Sequence, residues 1–286
     1  MFKLKYDKIL DNVIFTKNNL KPVVEDCFDI NNLSFCVADG VTRDNIYGEA
    51  VIYPNTYDEA KDWIKKYPNP SGASKAAQIV CKTFINEINR YSHDQINKKV
   101  ILKVAKHCNF ALKNINKNRN IDYLKEDYYC CEAVGGIIVD DYLYCFSLGD
   151  CHITLLDSEY NTVFTTINNH SYFEKYLKYV YSKENKFSWD NPKDRSMIRR
   201  EYRNNPAKKY KGKDISFGAF SGEENAEYYI DTYKVNLKNV KYICAYSDGC
   251  EPFFYNKKSI KNTLEDLKSL DYTGKERTLI VYEREN

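Results

Sequence analysis

The sequence predicts an α+β fold in which two antiparallel sheets pack against each other with helices outside. Three features of the chain point there. Apolar, β-rich runs fill much of the first ~40 residues, return after Tyr128, and return again from Phe217 to the end. Between the first two groups lie segments whose apolar residues recur at helical spacing. Acidic–glycine pairs also end three of the strand runs: Asp39-Gly40 after LSFCVA, Gly149-Asp150 after YLYCFSL, and Asp248-Gly249 after YICAYS. A rigid sheet aims a carboxylate placed at a strand end.

Taken in order, VVEDCFDI and LSFCVADG are two strands separated by the turn-prone pair Asn31-Asn32. Residues 41–70 read as loop, with Pro54, Pro68 and Pro70 as breakers. A helix starts near Ser71 or Ser74 and carries Ala73, Ala76, Ala77, Val80, Phe84 and Ile88 on one face. A second runs from about His93 to Asn116, with Ile96, Val100, Val104, Cys108, Ala111 and Ile115 aligned. These stripes are the spacing of core packing. CEAVGGIIV, a turn at Asp140-Asp141, YLYCFSLGD and CHITLLD form a meander. SYFEKYLKYVYS reads as a helix in a polar region that ends in a basic stretch. YYIDTYKV and VKYICAYSDG are strands, followed by a short helix near Glu251–Tyr255 and a longer one over Ser259–Leu270. RTLIVYE is the last strand. No linker or repeat divides the chain, so residues 1–286 read as one domain.

Composition narrows the function. The chain is 43% hydrophobic, enough for a sizeable core. Its 43 basic and 40 acidic residues nearly cancel, which announces neither a nucleic-acid nor a membrane partner. No apolar run approaches the ~18 residues of a membrane span, and MFKLKYDKIL lacks the apolar core of an export signal. The ten cysteines include no CxxC and no zinc spacing, which suits a reduced, cytoplasmic protein. Cys151 and Cys250 directly follow acidic pairs. A nucleophilic thiol needs a basic partner, and His152, next to Cys151, points to the opposite face of a strand. His93, His107 and His170 read as a helix start, a helix flank and a polar turn, all structural.

The acidic residues carry the chemistry. Glu25-Asp26 adds a fourth pair, interrupting a Val/Phe/Ile stretch. Carboxylates aimed at one point repel unless cations lie between them. A site of carboxylates, backbone carbonyl and water suits Mg²⁺ or Mn²⁺ better than zinc. A water between two such ions becomes a nucleophile near neutral pH, and the same charges stabilise a phosphoryl group under in-line attack.

The order of these motifs resembles the PPM family, the metal-dependent serine/threonine phosphatases of type 2C. The motifs are VVEDCFDI, VADG, SGASKAA, a hairpin leading to SLGDCHITL, AYSDG and RTLIVYE. The resemblance implies a four-layer αββα sandwich and a two-ion site hydrolysing phosphoserine and phosphothreonine in proteins. In its terms Asp39 bridges the ions, Gly40 offers its carbonyl, and Asp248 is a second ligand; these two aspartates carry catalysis. Asp150 resembles the ligand of a third, weaker ion. Glu25 and Asp26 match a pair that holds metal-bound waters. Lys21 stands near where the family often has a phosphate-binding arginine, and lacks its bidentate fork. The implied partner is a phosphoprotein, the implied state a monomer.

Three departures accompany the resemblance. The family's last metal aspartate falls on Lys275, the wrong charge beside divalent ions. The candidate replacement ligands are Glu276, one residue off and in a regular strand facing away, and Asp271, which reaches in only if its loop folds back. Val41 stands where many eukaryotic members have a histidine. Residues 41–70 and 158–216 match poorly and are read as variable insertions. The rival expectation is therefore a pseudophosphatase, a regulatory or scaffold protein with an incomplete metal site. Lys193–Lys213, with nine basic and two acidic residues, reads either as a solvated loop or as a docking surface for acidic phosphoproteins.

Overall fold

Alternation along the strands sorts side chains into layers. The computed structural model describes residues 1–10, 24–46, 48–51, 57–119, 121–123, 125–184, 191–267 and 276–285. Among them, β1 (Phe2–Leu10), β14 (Arg277–Arg284), β13 (Tyr242–Tyr246), β8 (His152–Leu156) and β9 (Thr162–Thr165) form one antiparallel sheet, in that order. The second sheet runs β12 (Asp231–Asn236), β7 (Tyr142–Leu148), β6 (Cys131–Val139), β3 (Ser34–Gly40) and β2 (Cys27–Asn31). Phe35 and Val37 of β3 and Val134 and Ile138 of β6 meet Ile153, Ile243, Ala245, Ile280 and Tyr282 in the core between the sheets. Their neighbours Cys36, Ala38 and Ala133 face outward and pack under helices α2 (Gly72–Ile88) and α3 (Lys98–Asn116). On the other side Cys244, Tyr246, Leu279 and Val281 pack under Ile260 and Leu264 of α6 (Lys257–Glu265). The result is the helix–sheet–sheet–helix sandwich.

Turn chemistry sets the register. Asn32 and Asp140 take left-handed backbone, at φ 53° and 51°, in the two tight turns named from sequence. Ser71 caps α2, its hydroxyl accepting from the Ser74 amide at 3.1 Å. The second helix begins later than its periodicity suggests. Asn97 accepts from the amides of Lys99 and Val100 and starts α3 there, leaving His93–Gln95 as a separate 3₁₀ turn. The last helix likewise occupies Lys257–Glu265, and Asp248–Phe254 is a 3₁₀ turn. Glu25-Asp26 lies just before β2 instead of within a strand.

Two segments read as loop contain helices. Residues 41–70 hold a small ribbon, β4 (Asn45–Ile46) with β5 (Glu49–Ala50), and helix α1 (Tyr57–Lys66). That helix has Asp58 and Glu59 in its first turn and Lys65 and Lys66 in its last, which complements its dipole. The basic stretch contains α5 (Pro192–Tyr202), capped by Asn191. Together with α4 (Ser171–Glu184) and the ribbon β10 (Lys209–Tyr210) with β11 (Lys213–Asp214), it builds a separate apolar cluster around Phe173, Ile198, Tyr202 and Phe217.

The arginines of α5 correct the solvated-loop expectation for part of that stretch. Arg195, Arg199 and Arg203 recur every four residues and point inward. Arg195 Nε lies 2.6 Å from Asp44 Oδ1, and Arg199 Nη1 lies 3.0 Å from Asp44 Oδ2. Arg199 also donates to the Thr42 carbonyl at 2.6 Å. Arg203, 1% exposed, holds Asp127 through both nitrogens at 2.7 and 3.1 Å. These three arginines form a mostly buried helix face paired with two aspartates, so this part of the stretch is not a solvated loop. Arg200, Lys209, Lys211 and Lys213 stay exposed. Among the described residues no helix is long and apolar enough to cross a membrane.

Candidate metal centre

The alternation that fills the intersheet core ends in charge. Asp39 follows Phe35 and Val37 on the same face of β3, at the strand's end. Asp150 follows β7, and Asp248 follows β13 to open its 3₁₀ turn. Asp26 precedes β2, and Glu276 precedes β14. The fold brings these five carboxylates, from segments far apart in sequence, to one end of the sandwich. Burial pushes the Asp39 carboxyl well above its usual range, and the charges of Asp26, Asp248, Asp150 and Glu276 push it further. Burial likewise raises Asp26 to about 7, with Asp248 and Glu25 adding to it, against hydrogen bonds from Ser247 and Thr278.

Gly40 is required by close packing. A β-carbon there would stand 2.5 Å from the Glu25 carbonyl and 2.9 Å from the backbone of Ala73. The turn after Asp39 is therefore pressed onto the acidic pair and the start of α2.

Glu25 and Asp26 are tied down by hydroxyls that the sequence did not single out. The Glu25 carboxylate accepts from Thr42 Oγ1, from Ser71 Oγ, and from Tyr67 Oη at 2.7 Å. Asp26 Oδ2 accepts from Ser247 Oγ and Thr278 Oγ1, both at 2.7 Å. Both carboxylates are thus oriented by fixed donors.

Glu276 corrects the strand argument. It stands one residue before β14, outside the ladder, so strand alternation does not set its direction. Its carboxylate accepts from the Glu25 amide at 2.8 and 2.9 Å and from the Asp26 amide at 2.8 Å. Burial and then the Asp26 charge raise its pKa to about 9, against these donors. Lys21, Asp271 and Lys275 lie outside the described residues.

A second group sits beside Asp150. Glu132 is directly opposite Asp39 in the β3–β6 register and is 4% exposed. Its Oε2 accepts from the Asp150 amide at 2.8 Å, and its Oε1 is 2.9 Å from His170 Nε2. His170 Nδ1 is 4.0 Å from Asp150 Oδ2. Gly149, at φ +89°, leaves room for the Glu132 carboxylate, which a β-carbon there would meet at 2.0 Å. Burial disfavours charge on both partners, yet their pairing outweighs it, lowering the Glu132 pKa and raising that of His170. Burial, then Glu132, raises Asp150 well above its usual range. Period-two alternation from Val134 and Ile138 could have marked Glu132 as inward-facing. His170 carried no such signal, since only the fold of the 166–171 turn brings it here.

The cysteines take no part in this chemistry. Cys151 and Cys250 are buried, and burial first, then nearby carboxylates, pushes both thiols up.

The donor set fits divalent cations. Crowded carboxylates whose charges resist one another are hard-oxygen ligands that a cation would relieve. No family model matches the sequence, and no curated protein matches it. By shape the chain is similar to several solved phosphatases. A crystal structure of the Mycobacterium tuberculosis serine/threonine phosphatase PstP/Ppp superposes with a TM-score of 0.55 at 10% identity, covering 100% of this chain and 99% of that one. The Staphylococcus aureus serine/threonine phosphatase Stp1 gives 0.54 at 12% identity, covering 99% and 96%. The PstP catalytic domain solved with two manganese ions gives 0.50 at 10% identity, covering 99% and 97%.

Proposed function

From the αββα fold that this chain shares with the PPM-type serine/threonine phosphatases, we propose that it is a divergent, metal-dependent phosphatase acting on phosphoserine or phosphothreonine in proteins. The observation that carries this is the gathering of Asp26, Asp39, Asp150, Asp248 and Glu276 at one end of the sheets, each from a different segment.

Asp39, Asp248 and the Gly40 carbonyl would hold the cations, as in the family the motifs resemble. Two divalent ions bound there would supply an activated water and neutralise charge on the phosphoryl group. The remaining work falls to this chain's own groups. Hydroxyls of Thr42, Tyr67 and Ser71 fix Glu25, and those of Ser247 and Thr278 fix Asp26, so both face the cluster without rearrangement. Glu276 locks the amides of both residues and adds charge close to Asp26. A single domain over residues 1–286, with insertions near 41–70 and 158–216, is part of the same reading. The free thiols suit a reducing compartment.

The test is hydrolysis of a small aryl phosphate by purified protein. Turnover that requires added Mn²⁺ or Mg²⁺ and disappears with chelator supports the proposal. Turnover that survives chelation, or none at any metal concentration, overturns it. The second outcome would favour the pseudophosphatase, a reading supported by Lys275 at the family's last aspartate and by the engagement of Glu276 with backbone amides.

A further inference from the structure

We propose that Glu132, Asp150 and His170 form a distinct cation site of mixed nitrogen and oxygen ligands, selective for first-row transition ions of the Mn²⁺, Co²⁺ and Zn²⁺ class over Mg²⁺. The inference rests on the proposed function only through Asp150, which lies between this group and the Asp39–Asp248 centre. It goes beyond that reading in assigning Glu132 and His170 as ligands and in the choice of ion.

One ligand atom from each of the three residues lies within 4.8 Å of the other two. Ligand bonds near 2.0–2.2 Å put donors of a single ion about 3–4 Å apart, so small side-chain adjustments close the site. The three residues are held from three directions. Glu132 projects from the middle of the buried sheet and rests against Gly149. Asp150 is fixed by its own amide bonding to Glu132. His170 heads α4, and its ring packs on Phe217 at 4.6 Å between centroids. Its turn is pinned at two points. The Asn169 amide donates to the Gly149 carbonyl at 3.3 Å, and the Asn169 side chain donates to the Tyr229 carbonyl at 2.9 Å.

Charge and alignment both point to a cation. His170 Nε2 is sealed from solvent and, although 2.9 Å from Glu132 Oε1, is not aligned with it as a hydrogen bond. The two groups are paired by charge, and donors held about 3 Å apart have the spacing of two ligands of one ion. Two carboxylates share one imidazole, and Asp248 adds to the same negative field. The nitrogen decides selectivity. Imidazole suits zinc and the later first-row ions, affinity rising from Mn²⁺ through Co²⁺, whereas Mg²⁺ prefers an all-oxygen shell and retains its waters. An ion here would tie the β6–β7 end of the sheet to the start of α4.

The test separates this site from the one at Asp39. Full-length Asp39→Asn protein, freed of metal, is titrated with Co²⁺ and followed by visible absorption. The expected result is one tight equivalent with ligand-field bands. Adding His170→Gln or Glu132→Gln should weaken that equivalent by more than the roughly 10–100-fold typical of losing a partner to a ligand. In parallel, Mn²⁺-loaded Asp39→Asn is examined by electron spin-echo spectroscopy for nitrogen coupling. This second measurement needs no further substitution, so it stands even where a ligand variant fails to fold. No nitrogen coupling, or Co²⁺ binding unchanged in folded His170→Gln and Glu132→Gln proteins, overturns the proposal and leaves Glu132–His170 as an ion pair. Co²⁺ bound at His170 by a protein without phosphatase activity would sink the proposed function and keep this site; active protein without nitrogen coupling would do the reverse.

Discussion

Asp39→Asn and Asp248→Asn each remove one charge from a cluster whose members already repel. We expect each to cut Mn²⁺-dependent turnover by on the order of 10²-fold or more, the loss of several kcal/mol of phosphoryl stabilisation. We also expect the melting temperature of the metal-free protein to hold or rise, because a buried like charge has gone. Calorimetry beside the activity assay checks both halves; unaltered turnover would make these residues mere turns. Glu276→Gln should weaken Mn²⁺ binding by calorimetric titration while the Glu25 and Asp26 amides keep an acceptor. Unchanged affinity would place Glu276 outside the site. Asp39, Asp150 and Asp248 were legible through the joint order and spacing of three acidic–glycine pairs at strand ends, since each pair alone is a common turn. Glu132 was hidden inside a strand that read as core. Glu276 was named as a candidate replacement with strand alternation against it, and it lies one residue before the strand, where alternation does not apply.

Helix α5 fastens the segment after Asp39-Gly40. Arg199 holds the carbonyl of Thr42, and the Thr42 hydroxyl in turn holds Glu25. Replacing Arg203 by Met strands the buried Asp127 carboxylate. Breaking one partner of a buried pair costs roughly 3–5 kcal/mol, so a drop of that order is expected in urea unfolding. The double variant Arg203→Met/Asp127→Asn should recover much of the loss. If the single and double variants unfold alike, the pair is not what secures this helix. The arginine spacing of four was present in the sequence. It was not seen as a helix face because sequence patterns treat arginine as solvent-facing, and the two aspartates that bury it come from positions 44 and 127. Helix α1 was missed because Pro54, Pro68 and Pro70 marked the segment as loop, although a ten-residue helix fits between them.

For the whole molecule the linked quantity is pH. Asp26 and Glu276 have pKa values raised by burial to about 7 and about 9. The folded chain therefore binds protons that the unfolded chain releases near pH 4. Stability from these groups is full below that point and is lost as pH rises through 7 and then 9. Chelated protein should melt at progressively lower temperature from pH 5 to pH 9, and added Mn²⁺ should restore most where the loss is greatest. A flat or rising profile in chelator would contradict the burial of this charge. The sandwich was legible as a whole because apolar, β-rich runs bounded by turn residues mark its long central strands, buried on both faces. The region around α4 and α5 was not, since its cluster is built from tyrosines and arginines that periodicity does not sort. Glu276, just before the last strand, closes on the amides of Glu25 and Asp26 across 251 and 250 residues. Synthesis proceeds from the other end, and domains fold as units. A ribosome-bound chain can thus display its early aspartates for most of its translation while the acceptor that sets their backbone is still unmade. On the proposed function, competence would arrive with the final strand, and protein truncated before Glu276 is expected to show no Mn²⁺-dependent turnover.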